Sequence, residues 1–340
     1  MLEHYSPQPV GGRIATQMSS IHDQQIRLND GRSLCYAEYG AARGRPVFLF
    51  HGIPGSRFLR HPDDTIAADL NVRLIVPDRP GMGGSSFRPG RRILDWPADL
   101  LELADALRIE RFAVAGISGG GPYAAACGYV LADRLEAVGI ISGVGPLDAP
   151  GALTGMLSAN RMGYSVGRWM PWPLWRAIFG QYYGDISRHP ERLARVDEQE
   201  PEADRNLFST PGVREIFIEN FAAAFRQGTT GVARDGWLLA RPWGFDLQAI
   251  RAPVYLWQGE SDVVVTPAMA RCMAERIPGC TARFLTGEGH LLWVTHWREI
   301  LSALTGRRPA PVTSPHRQSR VQSTAAALRV GTGKALSQVQ

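Results

Sequence analysis

The chain has 340 residues, of which 44% are hydrophobic and 20% charged, a composition typical of a globular protein and not of a collagen, a coiled coil or a wholly disordered chain. The net charge of +5 comes from residues 301–340, which hold six basic residues and no acid, so residues 1–300 carry a net charge of −1. Residues 1–300 show no stripe of basic residues, and we therefore expect no nucleic-acid partner. The polar N-terminus and the lack of any apolar run near ~20 residues predict a soluble, cytoplasmic protein without a membrane span.

Lysine and cysteine usage exclude several kinds of chemistry. Of the 37 basic residues 36 are arginines, and the one lysine, Lys334, lies near the C-terminal end. A phosphate-binding P-loop, a Schiff base and a Ser-Lys pair all need a lysine inside the fold, so none of them is expected. The cysteines form no C-x-x-C pair, which predicts buried thiols, no metal site and no cofactor. They are Cys35, Cys127, Cys272 and Cys280.

The predicted elements begin with a β-hairpin, because residues 23–38 alternate around the turn signal Asn29-Asp30-Gly31. Short continuous apolar runs follow, typical of strands buried on both faces of a parallel sheet. The runs are residues 46–50, 72–76, 112–115, 137–141, 254–257 and 282–285. Helical patterns lie between them, for example at residues 95–109 and after Thr266, an N-cap residue followed by proline. The alternation predicts a doubly wound, mostly parallel α/β domain.

Residues 145–247 break this alternation. They hold five of the nine tryptophans and show helical spacing, as in residues 213–227, whose apolar side chains share one helical face. We interpret them as a helical insertion that caps an apolar surface. The α/β core is then residues 23–144 and 248–306. Residues 1–22 are predicted to be a loose arm and residues 307–340 a disordered basic tail.

A candidate nucleophile follows the apolar run at residues 112–115. The sequence from Gly116 to Gly120 is G-x-S-x-G, and residues 123–131 after it favour a helix. A strand, a tight turn and a helix are the context in which this motif exposes a nucleophilic serine, here Ser118. The overlapping Gly119-x-Gly121-x-x-Ala124 matches a dinucleotide fingerprint, but the next predicted strand ends without the acid that would bind a ribose.

A serine nucleophile needs a histidine base, and the base needs a carboxylate. Asp262 and His290 each follow a predicted strand in a glycine-containing loop, and the chain order Ser118, Asp262, His290 is the one expected for a serine hydrolase on such a sheet. Some alternatives stay open. They are Glu260 and Asp148 for the acid, His296 for the base, and a purely structural His290.

Three motifs together resemble the α/β-hydrolase family over residues 23–305: G-x-S-x-G, the G-x-x-D turn ending at Asp262 and the G-x-G-H turn ending at His290. His51-Gly52-Ile53-Pro54-Gly55 resembles the oxyanion loop of that family, and residues 78–85 resemble its D-x-x-G-x-G-x-S loop, expected to be scaffolding. The resemblance implies that the amides of Ile53 and Gly119 form the oxyanion hole. His51 is expected to be structural.

The resemblance implies a carboxylesterase or lipase-like enzyme with the helical insertion as its cap. We expect Ser118 to attack a small to medium uncharged carboxylic ester while His290 takes its proton and Asp262 stabilises the imidazolium. A small-molecule ester is then the partner. C–C bond hydrolases, thioesterases, acyltransferases and perhydrolases share such a triad, and the fold also serves as a non-catalytic binding module. The oligomeric state stays open.

Overall fold

The structure is a computed structural model that describes residues 24–194, 198–210 and 212–306, all within one compact unit. The predicted N-terminal arm and the predicted basic tail lie outside the described residues. In the part that is described, no helix is both long enough and apolar enough to cross a membrane.

The described strands form one eight-stranded sheet. They are β1 (Gln24–Arg27), β2 (Ser33–Gly40), β3 (Arg45–Phe50), β4 (Val72–Pro77), β5 (Phe112–Ile117), β6 (Leu135–Ile141), β7 (Val254–Gly259) and β8 (Thr281–Leu285). Their order across the sheet is β1-β2-β4-β3-β5-β6-β7-β8. β2 pairs antiparallel with both β1 and β4, and every other pair is parallel. The predicted doubly wound, mostly parallel sheet is confirmed.

The first two strands confirm the predicted hairpin, and all six apolar runs lie in strands. Gly31 in the hairpin turn has a φ of +84°, a conformation that favours glycine. One expectation is wrong: β8 is not buried on both faces, since its five residues are half-buried or exposed. The physical reason is its place at the sheet edge, where only β7 lies beside it.

Ten α-helices occur among the described residues. They are α1 (Thr65–Asp69), α2 (Trp96–Ala106), α3 (Gly121–Val130), α4 (Ser158–Gly167), α5 (Trp172–Arg188), α6 (Glu202–Phe208), α7 (Val213–Ala224), α8 (Thr230–Leu239), α9 (Pro267–Arg276) and α10 (Leu292–Leu304). α2, α3 and α9 contribute to an apolar cluster on one face of the sheet, and α1 and α10 to a cluster on the other. β5 supplies both clusters alternately, with Phe112 and Val114 on one face and Ala113 and Ala115 on the other.

Thr266 lies at the N-cap of α9 as predicted, but its side chain does not cap the helix. Its hydroxyl donates instead to the carbonyl of Ala152, at 2.7 Å. The predicted burial of the thiols holds for two of the four: Cys35 and Cys127 are buried, while Cys272 and Cys280 are half-buried.

Helices α4 to α8 lie between β6 and β7, within the predicted helical insertion. The insertion packs together through its own aromatic side chains; Trp175, for example, donates from Nε1 to the carbonyl of Ala233 at 2.8 Å. Asn220 of α7 accepts a 2.8 Å hydrogen bond from the Ser56 amide, in the loop that follows β3. The insertion therefore contacts the loops at the carboxyl ends of the parallel strands.

Candidate active site

Ser118 lies in the turn between β5 and α3, at the carboxyl end of a central strand. Its φ is +54°, a conformation that non-glycine residues seldom adopt and that marks a strained turn. The turn leaves no room for side chains at two flanking glycines. A Cβ added to Gly116 would lie 2.8 Å from the Gly121 nitrogen, and one added to Gly120 would lie 2.9 Å from the His51 carbonyl oxygen. The half-buried Ser118 side chain is therefore held at the carboxyl end of β5, in a turn whose backbone leaves room only for glycine at these flanking positions.

Asp262 and His290 meet in the loops after β7 and β8. Nδ1 of His290 lies 2.9 Å from Oδ2 of Asp262. The same Oδ2 accepts a 3.0 Å hydrogen bond from Nε2 of Gln258, and Oδ1 accepts from the amides of Val264 at 2.8 Å and Val265 at 2.9 Å. Asp262 is 3% exposed, so a network of donors fixes the carboxylate that orients the imidazole.

The alternative acids and the alternative base lie elsewhere. Glu260 accepts hydrogen bonds from Arg271 and Thr286 at the surface. The Asp148 side chain is 74% exposed. The imidazole of His296 lies 3.0 Å from a carboxylate oxygen of Glu288.

The pKa of His290 reflects two opposed effects. Burial of the imidazole lowers this pKa, but the charge of Asp262 and the hydrogen bond to it raise it more, so that the net shift is upward from 6.5. Asp204 and Glu200, two further carboxylates, raise the pKa in the same direction. The charges of three carboxylates therefore favour protonated His290.

Asp204 contacts the His290 loop from helix α6 of the helical insertion. Its Oδ2 accepts a 2.7 Å hydrogen bond from the backbone amide of His290, and its Oδ1 a 2.8 Å bond from the amide of Leu291. The carboxylate is 2% exposed. Sequence reasoning missed this residue, because Asp204 and His290 are 86 positions apart and no local motif marks the acid.

His51 of the predicted oxyanion loop has a structural position. Its Nε2 accepts a 3.2 Å hydrogen bond from the Arg79 amide, so that Nδ1 carries the proton and donates to the Gly52 carbonyl at 2.9 Å. Burial and the nearby Arg79 guanidinium hold the pKa of His51 well below 6.5. His51 is therefore a neutral side chain that fixes the loop.

Arg79 joins this loop to helix α8 of the insertion. The guanidinium donates to the carbonyls of His51 and Gly52, the latter at 2.8 Å, and its Nε donates to Oδ2 of Asp235 at 2.7 Å. Asp235 also accepts hydrogen bonds from Arg91 and, at 2.7 Å, from the hydroxyl of Tyr123. Burial alone would raise the pKa of Asp235, but the two guanidinium charges outweigh it and lower this pKa. Sequence reasoning placed Arg79 in a scaffold loop and did not foresee its partner Asp235.

Ile53 and Gly119, the predicted oxyanion residues, lie side by side next to Ser118. A Cβ added to Gly119 would lie 2.7 Å from Cγ2 of Ile53 and 3.1 Å from Cδ1 of Leu239. A Cβ added to Gly52 would lie 3.4 Å from the Cβ of Ser118. The side chains of Ile53 and of Leu239, the last residue of α8, thus lie beside Gly119, the residue that follows Ser118. In the described part of the chain, no three His, Cys, Asp or Glu side chains are grouped so that they could hold a metal ion.

Comparison with known proteins agrees with this geometry. A model of the alpha/beta hydrolase family matches residues 47–303. The "Uncharacterized hydrolase YcgS" of Bacillus subtilis (strain 168) is 26% identical over 277 residues, which cover 78% of this chain and 90% of that protein.

Two solved structures show the same fold. An enol-lactonase from Burkholderia xenovorans LB400 has a TM-score of 0.62 and 20% identity, covering 84% of this chain and 100% of that one. A thermophilic esterase from Thermogutta terrifontis has a TM-score of 0.60 and 23% identity, covering 84% and 97%. From the family model, the sheet order and the loops around Ser118, the chain belongs to the α/β-hydrolase family.

Proposed function

We propose that this hydrolase is a serine esterase in which Ser118 is the nucleophile, His290 the base and Asp262 the orienting acid. The observation that carries the proposal is the 2.9 Å hydrogen bond between Nδ1 of His290 and Asp262. Both residues follow the carboxyl ends of parallel strands, as Ser118 does. This bond leaves Nε2, on the other side of the ring, to accept the serine proton. His290 then gives this proton to the departing alcohol as the ester C–O bond breaks, which leaves an acyl-enzyme on Ser118. With the neutral His290 as base again, water attacks the acyl-enzyme and releases the acid and free Ser118.

The amides of Ile53 and Gly119 are proposed to stabilise the oxyanion. His51 and Arg79 both donate to the Gly52 carbonyl. Because the peptide bond from Gly52 to Ile53 is planar and trans, its N–H points away from those two donors. The Gly119 amide belongs to the first turn after β5, where N–H groups lack helical acceptors. Each such donor can stabilise the transition state by about 3 kcal/mol.

The helical insertion is proposed to be a cap that selects uncharged esters. Leu239 of the insertion lies close to Gly119, and Ile53 packs against an apolar cluster to which the insertion contributes, so the region beside Ser118 offers apolar contacts. Three arginines of the insertion that could have received a charged acyl group are exposed to solvent instead. They are Arg161, Arg168 and Arg176. A charged ester would therefore lose its hydration without gaining any of these three guanidinium groups as a partner.

Ser118→Ala tests the nucleophile. We expect hydrolysis of p-nitrophenyl esters to fall on the order of 10³-fold or more, and a fluorophosphonate probe to stop labelling the peptide that carries residue 118. Ser261→Ala, at an exposed serine beside Asp262, is the matched control and should keep wild-type activity. A folded Ser118→Ala variant whose rate of hydrolysis is within tenfold of the wild-type rate would contradict the assignment.

The same assay separates ester hydrolysis from thioester hydrolysis and from acyl transfer to an alcohol. We compare kcat/KM for a series of esters from acetyl to hexanoyl, for a succinate monoester and for a thioester. An alcohol is added as an alternative acyl acceptor. We expect uncharged esters to be favoured increasingly with acyl length, since burial contributes about 0.8 kcal/mol per CH₂. A wild-type protein that neither hydrolyses any of them nor reacts with the probe would be a binding module instead.

A further inference from the structure

Asp204 makes the closest polar contact between the helical insertion and the loop that carries His290. Its two carboxylate oxygens accept one hydrogen bond each, from the amides of His290 and Leu291. The fit is close: a Cβ added to Gly289 would lie 2.6 Å from Oδ1 of Asp204. The insertion thus contacts the main chain of His290 itself, and not only the residues around it.

This contact fixes a part of the histidine that Asp262 does not reach. Asp262 bonds the imidazole, whereas Asp204 bonds the backbone from which the side chain projects. Leu291 is the N-cap of α10, and the amides at a helix start have no acceptor within the helix. The acceptor comes here from α6, more than eighty positions away along the chain.

We propose that Asp204 is a positioning residue for His290, so that the helical insertion must be seated on the core before the base is correctly placed. The inference rests on the proposed function of Ser118, Asp262 and His290. It adds that the insertion takes part in the chemistry by holding the base, besides covering the substrate. A state with the insertion lifted would leave the His290 amide without its acceptor.

The charges around His290 provide a readout that separates positioning from mere support of the fold. The carboxylates whose charges act on the imidazole are Asp262 from the loop after β7, Asp204 from α6 and Glu200 from the segment before α6. All three raise the pKa of His290, against the effect of burial. Neutralising Asp204 should therefore lower this pKa, and the acid limb of activity should move to lower pH.

Asp204→Asn is the first test. The amide keeps one acceptor oxygen but faces the second N–H with a donor, so that one of the two bonds is lost. We expect kcat/KM to fall about 10- to 100-fold, mostly in kcat, because small displacements of a reacting group are costly. The midpoint of the acid limb should shift to lower pH. Glu202→Gln, which removes an exposed charge from the same helix, should change neither quantity.

Asp204→Glu separates geometry from charge. It keeps the negative charge but moves it by one methylene, so kcat should fall while the acid limb stays near that of the wild type. If Asp204→Asn does not fold, this variant decides the question. Full activity in either variant would overturn the proposal, as would a lower kcat in Asp204→Asn with an unmoved acid limb.

The imidazole titration of His290, followed by ¹⁵N NMR and assigned with His290→Gln, tests the inference without any substrate. We expect a lower His290 pKa in Asp204→Asn than in the wild type, whether or not the protein cleaves esters. An equal pKa in both would overturn the inference about Asp204. A wild type without esterase activity or probe labelling, but with the pKa difference, would overturn only the proposed function.

Discussion

The helical insertion is fastened to the two sides of the candidate site by two buried aspartates with very different partners. On the histidine side, Asp204 accepts hydrogen bonds from the backbone amides of His290 and Leu291. On the side of the proposed oxyanion loop, Asp235 lies between the guanidinium groups of Arg79 and Arg91 and accepts a hydrogen bond from Tyr123 as well. Both carboxylates are nearly inaccessible to solvent.

The difference appears in their pKa values. Burial raises the pKa of Asp204, and the two amides and the charge of His290 offset this only in part. Burial acts in the same direction on Asp235, but two full positive charges outweigh it and lower the pKa. Two amide donors are thus enough to hold a buried carboxylate in place, whereas two neighbouring cations lower its pKa despite burial. The histidine side is therefore the more easily released of the two.

On the histidine side, the largest loss of activity is expected from substitution of Asp262, the proposed acid. Asp262→Asn should lower kcat on the order of 10³-fold or more, with KM nearly unchanged, because the amide favours the wrong imidazole tautomer. Steady-state kinetics on one ester measure the effect. Asp148→Asn, at a largely exposed carboxylate, is the control and should retain wild-type rates. The reverse pattern would mean that Asp148 is the acid.

On the side of the proposed oxyanion loop, substitution of Asp235 should lower the stability of the protein. Asp235→Asn leaves Arg79 and Arg91 buried beside a neutral group, and removing one partner of a buried ion pair costs about 3 to 5 kcal/mol. Urea denaturation measures the free energy of unfolding. Asp185→Asn removes an exposed carboxylate that pairs with Arg188 and Arg192, and it should cost less than about 1 kcal/mol. Equal losses of unfolding free energy in the two variants would show that the buried cluster around Asp235 stabilises the protein no more than an exposed ion pair does.

The smallest expected effect is a difference of sign in the pH dependence of stability. Asp235 has a lowered pKa, so the stability that it contributes is present above 3.8, the ordinary carboxyl value, and is lost as pH falls toward the lower folded value. Asp204 has a raised pKa, so the folded state binds its proton more tightly, and its contribution declines as pH rises above 3.8.

The measurement is the free energy of unfolding between about pH 5 and about pH 3. Asp204→Asn should make stability fall more steeply on acidification than in the wild type, and Asp235→Asn less steeply. Neither slope should change by more than about 1.4 kcal/mol per pH unit, the limit for one proton. Slopes that change in the same direction in both variants would contradict the opposite pKa shifts.

The fold was predictable because buried parallel strands are continuous apolar runs, and such runs do not depend on distant partners. The position of Ser118 was predictable for a similar reason, since strand, glycine turn and helix are adjacent in the chain. Neither Asp204 nor Asp235 could be found in this way. Their partners lie at least 86 positions away, and nothing local separates Asp204 from the nearby Glu202. The exposure of β8 likewise depends on its place in the sheet, which its own sequence does not encode.

The cluster of Arg79, Arg91 and Asp235 has an electrostatic consequence for the proposed reaction. Two guanidinium groups and one carboxylate leave a net positive charge buried against the proposed oxyanion loop, whereas the charges that act on His290 are those of carboxylates. The resulting electric field points from the loop toward the imidazole. In the proposed transition state, negative charge grows on the substrate oxygen and positive charge on His290, so the field is aligned with the charge separation. Fixed charges in a low-dielectric interior favour that separation without having to reorient during the reaction.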